Sequence, residues 1–345
     1  MKYAFLLSGE NIDMAAAEAL AVTQSKKHAI DSNLLVIERK KSGKSAEEFF
    51  VNEMKVRLAL SKYVSRIIFS CRENELKKKI EKYDWNSVCN GSFCARSSAL
   101  ISCGKPRHTS KELGSIIWRN LKSPSVNLEN PDTELIFFFS SNEVYCCLLL
   151  ADINYCYDKR KFNKKPFRHP STLHPRIARA VVNLAVKNNK KKITDPFCGS
   201  GSLLAEAGIM GMDIEGWDIE KDMIEGCKRN LEYFGIKKYN LRVADAMSIR
   251  NAEYIAADLP YGLNSKAQSA GEKISMKQAS NKPRLEKFYL RFLKRIKRIK
   301  IKRAAIIFPD FVDYKKIVSD SGLKTKNIFS VYIHKSLTRK IVILE

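Results

Sequence analysis

The chain has 345 residues, and its 62 Lys and Arg against 37 Asp and Glu give a formal net charge of +25. The length allows two or three domains with a substantial core, and the hydrophobic share of 45 % is typical of a globular protein. The charge excludes an acidic solvating chain and predicts a polyanionic partner, nucleic acid first and a membrane surface second, although a Lys-rich solvated surface would look the same.

The first 152 residues alternate short strands and helices, a pattern typical of α+β structure. The predicted strands are Lys2–Leu7, Leu34–Glu38, Arg66–Ser70 and the extended Phe93–Ser102. The predicted helices are Met14–Val22, Glu47–Leu60, Asn74–Lys82 and Ser110–Leu121, with Ser110 as the N-cap of the last. Leu135–Phe139 and Val144–Leu150 flank a turn-like S-S-N and predict a hairpin.

A basic segment follows. Asp158–Arg168 reads D-K-R-K-F-N-K-K-P-F-R and contains six basic residues, two aromatic residues and a proline. This composition predicts a linker over residues 153–170. Contact with RNA phosphates and a role as a solvated connector are equally compatible with it.

From residue 171 onward strands and helices alternate and end in a hairpin, which predicts an α/β fold with a mostly parallel sheet and an antiparallel edge. The predicted strands are Lys191–Thr194, Asp213–Trp217, Leu241–Ala244, Tyr254–Ala257, Ala304–Phe308, Ile328–His334 and Lys340–Leu344. The predicted helices are Arg176–Lys187, Leu203–Met210, Lys221–Phe234, Pro283–Lys300 and Tyr314–Asp320. Residues 262–282 are polar and predict a mobile loop.

The nine cysteines form no C-x-x-C pair, so their spacing favours neither a zinc site nor a disulfide scaffold and indicates a reducing compartment. The apolar run Tyr3–Leu7 is too short for a signal peptide, and no stretch of about 18 apolar residues occurs. We expect a cytoplasmic protein with no metal and no membrane partner.

A cofactor turn is predicted at Asp195–Ser202, D-P-F-C-G-S-G-S, between a strand and a helix. Gly199 and Gly201 allow a sharp turn and a close approach of the backbone to a ligand at the carboxyl edge of the sheet. The next three predicted strands also end in aspartate, at Asp218, Asp245 and Asp258. Any one of them could simply cap a helix, but the set beside the glycine turn indicates a nucleotide-type cofactor.

A dinucleotide is the weaker alternative, because Leu204 stands where G-x-G-x-x-G has its third glycine. Four carboxylates also suit a sulfonium cation better than a pyrophosphate. The predicted cofactor is therefore S-adenosylmethionine, with Asp218 near the ribose hydroxyls and Asp245 near the adenine amino group.

The string D-L-P-Y-G, Asp258–Gly262, ends the fourth strand. The exocyclic amino nitrogen of a nucleobase is a weak nucleophile because its lone pair is delocalised into the ring. Asp258 can accept one of its N–H groups, and the carbonyl of Leu259 or Pro260 can accept the other. Tyr261 can stack on the extruded base. A plain D-x-P-Y turn is the alternative, and the methyl-transfer hypothesis requires Asp258 to be reachable from the cleft.

With these strings placed, the sequence resembles the class I amino-methyltransferases that act on RNA, and more closely the THUMP-containing tRNA guanine N2-methyltransferases, which include the archaeal tRNA guanosine-10 enzymes and their eukaryotic relatives. Three further segments are similar: H-P-S-T-L-H-P-R-I-A-R-A-V-V-N-L-A (His169–Ala185), H-K-S-L-T-R (His334–Arg339) and V-N-L-E-N-P-D (Val126–Asp132). The resemblance covers most of the chain. It implies a ferredoxin-like α+β domain over 1–65, a THUMP RNA-binding domain over 66–152, the linker over 153–170, and a class I Rossmann-like methyltransferase domain with a mostly parallel seven-stranded sheet over 171–345.

The motifs and the resemblance together predict the site residues. The cofactor contacts are predicted to be Asp195, Phe197, Cys198, Gly199, Gly201, Asp218, Ile219, Asp245, Ala246 and Asp258. The predicted catalytic residues are Asp258, Pro260 and Tyr261, and the predicted substrate contacts are Leu259, Tyr261, Gly262, Arg96, Arg107 and Lys111. Leu259 departs from the family pattern, in which many members have proline there.

The implied function is S-adenosylmethionine-dependent methylation of guanine N2 in tRNA, at position 10, with one or two methyl groups. The alternatives are another tRNA guanosine such as position 6, an rRNA guanosine, a DNA amino-methyltransferase, and a non-catalytic RNA-binding module. The implied partners are tRNA and, as in eukaryotic relatives, a small activator subunit of the Trm112 type.

Overall fold

The computed structural model describes residues 1–40, 43–153, 157–169, 172–187, 191–261, 267–269, 272–274, 282–334 and 337–345. The chain forms two compact units, Met1–Asn154 and Tyr155–Glu345. Gly262 and most of the predicted loop over 262–282 lie outside the described residues.

The first unit is built on one eight-stranded sheet in the order β2-β3-β1-β4-β8-β7-β5-β6. Its strands are β1 (Lys2–Leu7), β2 (His28–Asp31), β3 (Leu34–Glu38), β4 (Ser61–Cys71), β5 (Ser92–Ala99), β6 (Ser125–Val126), β7 (Thr133–Phe139) and β8 (Val144–Asp152). Its helices are α1 (Ile12–Thr23), α2 (Lys44–Arg57), α3 (Leu76–Lys82) and α4 (Ser110–Arg119). The predicted hairpin is confirmed by the antiparallel pairing of β7 with β8. The predicted division between residues 65 and 66 falls inside β4, which pairs with β1 and β8.

The N-cap of α4 differs from the prediction. Thr109 Oγ1 accepts a hydrogen bond from Glu112 N at 3.2 Å, and Glu112 Oε2 accepts one from Thr109 N at 2.9 Å, which completes a capping box. The Ser110 hydroxyl oxygen instead accepts a hydrogen bond from Ser97 N at 2.9 Å. Ser110 as N-cap is therefore wrong by one residue.

The second unit contains a seven-stranded sheet in the order β11-β10-β9-β12-β15-β17-β16. Its strands are β9 (Ile193–Asp195), β10 (Ile214–Asp218), β11 (Asn240–Val243), β12 (Tyr254–Asp258), the separate pair β13 (Ala267–Ser269) and β14 (Glu272–Ile274), β15 (Arg303–Pro309), β16 (Thr325–His334) and β17 (Leu337–Leu344). Its helices are α5 (Pro175–Ala185), α6 (Ser202–Ile209), α7 (Lys221–Tyr233), α8 (Lys282–Arg298) and α9 (Tyr314–Ser321). The first five strands in this order are parallel, and β17 runs antiparallel to β15 and β16. The predicted mostly parallel sheet with an antiparallel hairpin is confirmed.

Close packing of α6 on β10 depends on Gly216. A Cβ at this position would lie 2.3 Å from Leu204 Cδ1, so no larger residue fits without movement. In a dinucleotide-binding turn the third glycine, on the helix, allows helix and strand to approach. Here the small residue is on the strand and the leucine is on the helix. The small residue that lets α6 approach the sheet is therefore on the strand, which is why α6 can carry Leu204 where a dinucleotide-binding turn has its third glycine.

Residues 157–169 pack within the second unit. Asn230 of α7 is fully buried, and its side chain bonds the amide of Phe167 at 2.9 Å and the carbonyl of Phe167 at 3.0 Å. The same Asn230 amide donates to the carbonyl of Ser200 in the glycine turn at 2.9 Å. One side chain thus holds both the incoming segment and the turn.

Buried charges attach the same segment to α5 and α6. Glu206 is 2 % exposed and accepts hydrogen bonds from Arg160 Nε at 2.7 Å and from Arg179 Nε at 2.8 Å. Lys165 is 4 % exposed, with its ammonium 3.5 Å from the hydroxyl of Ser202. Removing one member of such a group would leave an uncompensated buried charge, so these contacts fix the segment in place.

Positive charge is concentrated in the second unit. Residues 155–345 contain 40 Lys and Arg against 19 Asp and Glu, whereas residues 1–154 contain 22 against 18. None of the helices in the described ranges is long and apolar enough to cross a bilayer.

Candidate active site

Three aspartates mark the carboxyl edge of the second sheet. Asp195, Asp218 and Asp258 are the last residues of β9, β10 and β12, and Asp245 follows β11. Parallel strands end at the same edge, so these side chains are gathered there. The negative charges of Asp258 and Asp218 both act on Asp195.

The glycine turn between β9 and α6 is packed against the protein at one glycine and has free space at the other. Gly199 and Gly201 have φ values of +49° and +81°, in the left-handed region that favours glycine. A Cβ on Gly201 would lie 2.6 Å from Cys227 Sγ, whereas a Cβ on Gly199 would meet no atom within 4 Å. The turn is therefore packed against α7 at Gly201 and leaves space for a ligand at Gly199.

Asp218 orients this turn. Its Oδ2 accepts a hydrogen bond from Gly199 N at 2.9 Å, and its Oδ1 accepts one from Glu220 N at 3.0 Å. Burial raises the pKa of the Asp218 carboxyl above its ordinary value, and the amide hydrogen bonds act in the opposite direction. A carboxylate oxygen can accept more than one hydrogen bond, so Asp218 retains acceptor capacity for a ligand hydroxyl.

Asp195 and Asp245 also accept hydrogen bonds from local amides, as the helix-cap alternative expects. Asp195 accepts a hydrogen bond from Phe197 N at 3.1 Å and is 2 % exposed, and burial raises the pKa of its carboxyl well above the ordinary value. Asp245 accepts one from Met247 N at 2.8 Å and is half-buried. Asp195 thus lies beneath the turn, while Asp245 remains accessible.

The remaining predicted cofactor residues differ in exposure. Phe197 packs edge-on against Phe288 and Phe292 of α8, with ring centroids 5.9 and 4.9 Å apart. Cys198 and Ala246 are 5 % and 4 % exposed, and Ile219 is half-buried beside Asp218. At Cys198 and Ala246 a ligand could therefore meet mainly backbone groups.

Both oxygens of Asp258 have partners at the end of β12. Tyr261 Oη donates a hydrogen bond to Oδ1, and Arg339 Nη1 lies 3.3 Å from Oδ2. Burial raises the pKa of the Asp258 carboxyl, while the charge of Arg339 and the hydrogen bond from Tyr261 lower it. The Asp258 side chain remains 19 % exposed, so a ligand can still reach it.

The two residues between Asp258 and Tyr261 present mainly backbone. Leu259 is 1 % exposed, and its amide donates to the carbonyl of Ile307 at 3.1 Å. The carbonyl of Pro260 accepts a hydrogen bond from Tyr289 Oη at 2.6 Å and keeps a second lone pair. The leucine side chain belongs to the core, which explains why leucine is tolerated at this position.

Sequence reasoning assigned no role to Arg339 or Tyr289. Arg339 ends the string H-K-S-L-T-R, and Tyr289 belongs to the apolar face of the predicted helix. Arg339 reaches the site because it pairs with Pro309 at the end of β15, while Asp258 pairs with Ile307 of the same strand. That pairing across an antiparallel strand has no local sequence signal.

The predicted RNA contacts of the first unit differ in how free they are. Arg96 is half-exposed and is paired with Glu134, with a further hydrogen bond to the carbonyl of Leu128 at 3.2 Å. The Arg107 side chain is 84 % exposed, and its Nε lies 3.9 Å from Glu73 Oε2, a long distance for an ion pair. Lys111 is exposed in the first turn of α4. By exposure, Arg107 and Lys111 are more accessible to a partner than Arg96, and Arg107 also has the Glu73 carboxylate nearby.

Comparison with known proteins gives the family. Residues 163–339, just over half of the chain, match the family model described as UPF0020, RMKL-like, methyltransferase domain. The chain belongs to the RMKL-like methyltransferase family. The match begins at residue 163 and so includes part of the segment that Asn230 and Glu206 attach to the catalytic unit.

Relatives extend the likeness of this RMKL-like methyltransferase over the whole chain. It is 34 % identical over 271 residues to the tRNA (guanine(10)-N2)-dimethyltransferase of Pyrococcus abyssi, which covers 76 % of each chain. It is 29 % identical over 360 aligned positions to the protein of the same name from Methanothermobacter thermautotrophicus, which covers 100 % of this chain and 99 % of that one. The crystal structure of TrmN from Thermus thermophilus matches with a TM-score of 0.54 at 16 % identity over 100 % of this chain and 99 % of that one, which supports the fold.

Proposed function

We propose that this methyltransferase modifies N2 of a guanosine in tRNA, at position 10, with S-adenosylmethionine as the methyl donor. The support is the similarity to proteins named for that reaction over 76 to 100 % of the chain. The observation that carries the proposal is the Asp258 carboxylate, which lies at the strand end beside the glycine turn and is still partly exposed.

The cofactor pocket fits this donor. The space over Gly199 allows a ligand to approach the backbone, and the Asp218 carboxylate lies against the same amide. The nearby carboxylates favour a cationic ligand over a pyrophosphate. When bound, S-adenosylmethionine supplies an electrophilic methyl group on a sulfonium sulfur. The chain's own groups hold it through Asp218, Asp245 and the turn.

The base site acts through hydrogen bonding and placement. The Asp258 carboxylate accepts one N–H of the guanine amino group and so holds its nitrogen beside the methyl donor. The Pro260 carbonyl has a lone pair for the second N–H. The Tyr261 ring stacks on the base. The nitrogen gains a carbon and must lose a proton, for which Asp258 is the adjacent acceptor.

Helix α8 offers a surface for the phosphate backbone. Its outer face carries exposed cations at spacings of three and four residues: Lys287, Arg291, Lys294 and Arg298. The opposite face is buried through Leu285, Phe288 and Phe292. Helix α7 differs, because there Lys221 and Lys228 lie 3.7 and 3.9 Å from the carboxylates of Glu225 and Glu232. Within the part of the chain that the structure describes, these four α8 cations form no ion pair, so they can exchange counterions for phosphates.

The first unit, with its predicted THUMP domain, would recognise the shape of the tRNA in the cytoplasm. The alternatives are methylation of another tRNA guanosine, such as position 6, and methylation of rRNA. The number of methyl groups added, one or two, is a further detail for the experiment to decide. If the purified chain is active alone, it does not require an activator subunit of the Trm112 type.

The experiment is to incubate the full chain with labelled S-adenosylmethionine and unmodified tRNA transcripts, then to digest the RNA and identify the modified nucleoside and its position. We expect N2-methylguanosine or N2,N2-dimethylguanosine at position 10, absent when guanosine 10 is replaced and absent with Asp258→Ala. The Asp258→Ala variant should still bind tRNA. Methylation of duplex DNA in preference to tRNA, or undiminished activity of Asp258→Ala, would reject the proposal.

A further inference from the structure

Arg339 enters the base site from a distant part of the chain. Strand β17 is antiparallel to β15, so its first residues lie at the edge where the parallel strands end. Arg339 pairs with Pro309, and its side chain is only 6 % exposed. Its guanidinium carbon lies 5.3 Å from the centroid of the Tyr261 ring, and the hydroxyl of that tyrosine donates the hydrogen bond to Asp258. Arg339 therefore contacts both Asp258 and Tyr261.

The two partners of Asp258 are not equivalent. Arg339, whose side chain is 6 % exposed, makes an ion pair with Oδ2, and breaking this pair would leave an uncompensated charge in a largely buried place. Tyr261 makes a neutral hydrogen bond to Oδ1 and is itself half-buried, so its hydroxyl can exchange this partner for water at lower cost. Of the two oxygens, Oδ1 is the one that can be vacated.

A base that enters the site needs this oxygen. The amino group of a purine is an N–H donor, as the Tyr261 hydroxyl is an O–H donor, and both require an acceptor at the same carboxylate. We propose that Arg339 is a positioning residue that keeps Asp258 Oδ2 throughout the reaction, while the incoming amino group replaces the Tyr261 hydroxyl on Oδ1. This inference rests on the proposed function and adds how the base site is prepared for its substrate.

In this arrangement the Tyr261 hydroxyl stands in for the amino group before RNA binds. It keeps Oδ1 satisfied and directs the carboxylate into the cleft. Arg339 holds Asp258 through Oδ2, so that the carboxylate does not turn away when the hydroxyl leaves. Among the described residues, four groups interact electrostatically with Asp258: Arg339 from β17, Tyr261, Tyr289 from α8 and Asp195 from β9. Of these four, Arg339 alone is a cation, so it offsets most directly the cost of keeping Asp258 ionised in a buried place.

The test of Arg339 uses the full chain, tRNA and the nucleoside assay, with kcat and KM measured from pH 5 to 9. In Arg339→Met the acid limb of kcat should move to higher pH, because the carboxylate loses the cation that lowers its pKa. Below the midpoint of the wild-type limb, kcat of Arg339→Met should be about tenfold lower than that of the wild type, while KM for tRNA changes less. Arg339→Lys should recover part of this loss. Lys340→Met, on the other face of the same strand and bonded to Ser330, is the matched control and should leave the profile unchanged.

The test of the Tyr261 hydroxyl compares two variants. Tyr261→Phe keeps the ring and frees Oδ1, so KM for tRNA should fall. Tyr261→Ala removes the ring as well, so KM should rise. Thermal unfolding and calorimetric binding of S-adenosylmethionine verify that each variant is folded.

Two results would overturn the inference: an acid limb in Arg339→Met that coincides with the wild type, or a KM in Tyr261→Phe raised as far as in Tyr261→Ala. Failure of the proposed function is a separate outcome, since then the wild type itself forms no N2-methylguanosine.

Discussion

At the scale of single residues, Gly201 is where the cofactor turn is least tolerant. It combines a left-handed φ of +81° with a Cβ position 2.6 Å from Cys227 Sγ. An L-residue in the left-handed region costs about 1–2 kcal/mol, and the overlap with sulfur adds to it. The conformation of the turn therefore depends on the backbone of Gly201 and on the neighbouring side chain of Cys227.

We predict that Gly201→Ala lowers the free energy of unfolding by more than about 2 kcal/mol, measured by urea denaturation without cofactor. Gly235→Ala is the matched control, because Gly235 has φ +73° and its Cβ would meet no atom within 4 Å. It should cost only the backbone strain of about 1 kcal/mol. In a Cys227→Ala background the excess cost of Gly201→Ala should disappear. Equal losses at the two glycines would show that crowding by Cys227 has no effect.

Most residues of the site follow from local patterns, and the exceptions share one cause. Asp195, Asp218 and Asp258 end strands that alternation and apolar runs predict well, so their common edge follows from parallel pairing alone. Arg339, Tyr289 and Glu206 were missed because each acts through a side-chain contact with a residue far away in sequence. Such contacts depend on register and packing, which leave no periodicity in the chain.

At the scale of elements, the segment 157–169 illustrates the limit of composition. Its six basic residues predict a linker, yet Lys165 is buried against α6 and Arg160 is half-buried in an ion pair with Glu206 of α6. From sequence alone, basic side chains are predicted to be solvated unless a carboxylate partner is known. Here the partner, Glu206, lies more than 40 positions after Arg160. The division at residue 65 fails to match an element end for a similar reason, because β4 continues from Ser61 to Cys71 through the polar residues Ser65 and Arg66.

Lys165 should make stability depend on pH. Burial lowers the pKa of its ammonium to about 8, with Glu206 acting in the opposite direction. In the unfolded chain a lysine has a pKa of about 10.4, so between these values the unfolded state binds more protons. The free energy of unfolding should therefore rise as the pH increases from about 8 to about 10.4, by at most about 3 kcal/mol from this residue.

The measurement is urea unfolding of the wild type and Lys165→Met at pH 7.5, 9 and 10. The stability of the wild type should gain on that of Lys165→Met as the pH rises, and Lys164→Met, at an exposed neighbouring position, should track the wild type. Parallel curves for the wild type and Lys165→Met would mean that Lys165 keeps its ordinary pKa in the folded protein.

Helix α8 should supply phosphate contacts that α7 does not. We predict that the triple variant Lys287→Gln, Arg291→Gln, Lys294→Gln raises KM for tRNA and reduces the slope of log affinity against log salt by about 2, at about 0.7–0.9 per lost contact. The control is Lys221→Gln with Lys228→Gln on α7, where each lysine already faces a glutamate. If both sets change the slope equally, the outer face of α8 has no special part in binding.

At the scale of the whole molecule, the two units divide their charge unequally. The unit with the methyltransferase sheet has an excess of 21 cationic residues, and the other unit an excess of 4. The total charge and the α/β character follow from the sequence, whereas this division emerges only once the unit boundary is known. Attraction to RNA should therefore come mainly from the catalytic unit.

This predicts how salt acts on the full chain. Filter-binding titrations of tRNA and of an unrelated RNA hairpin of similar length, from 50 to 300 mM KCl, should give steep slopes that differ by less than about 2. The two RNAs should differ in affinity at every salt concentration, because shape recognition adds a contribution that salt does not screen. A shallow slope for tRNA beside a steep one for the hairpin would contradict this division.

The uneven charge has a consequence for how such an enzyme searches. A strongly cationic surface holds any polyphosphate chain without regard to its bases, so the half that performs the chemistry meets many wrong RNAs for each right one. Wrong RNAs must then be rejected in two other ways. One is the shape of the uncharged parts of the surface. The other is the free-energy cost of unstacking a base, which is offset only when a guanosine binds correctly in the base site.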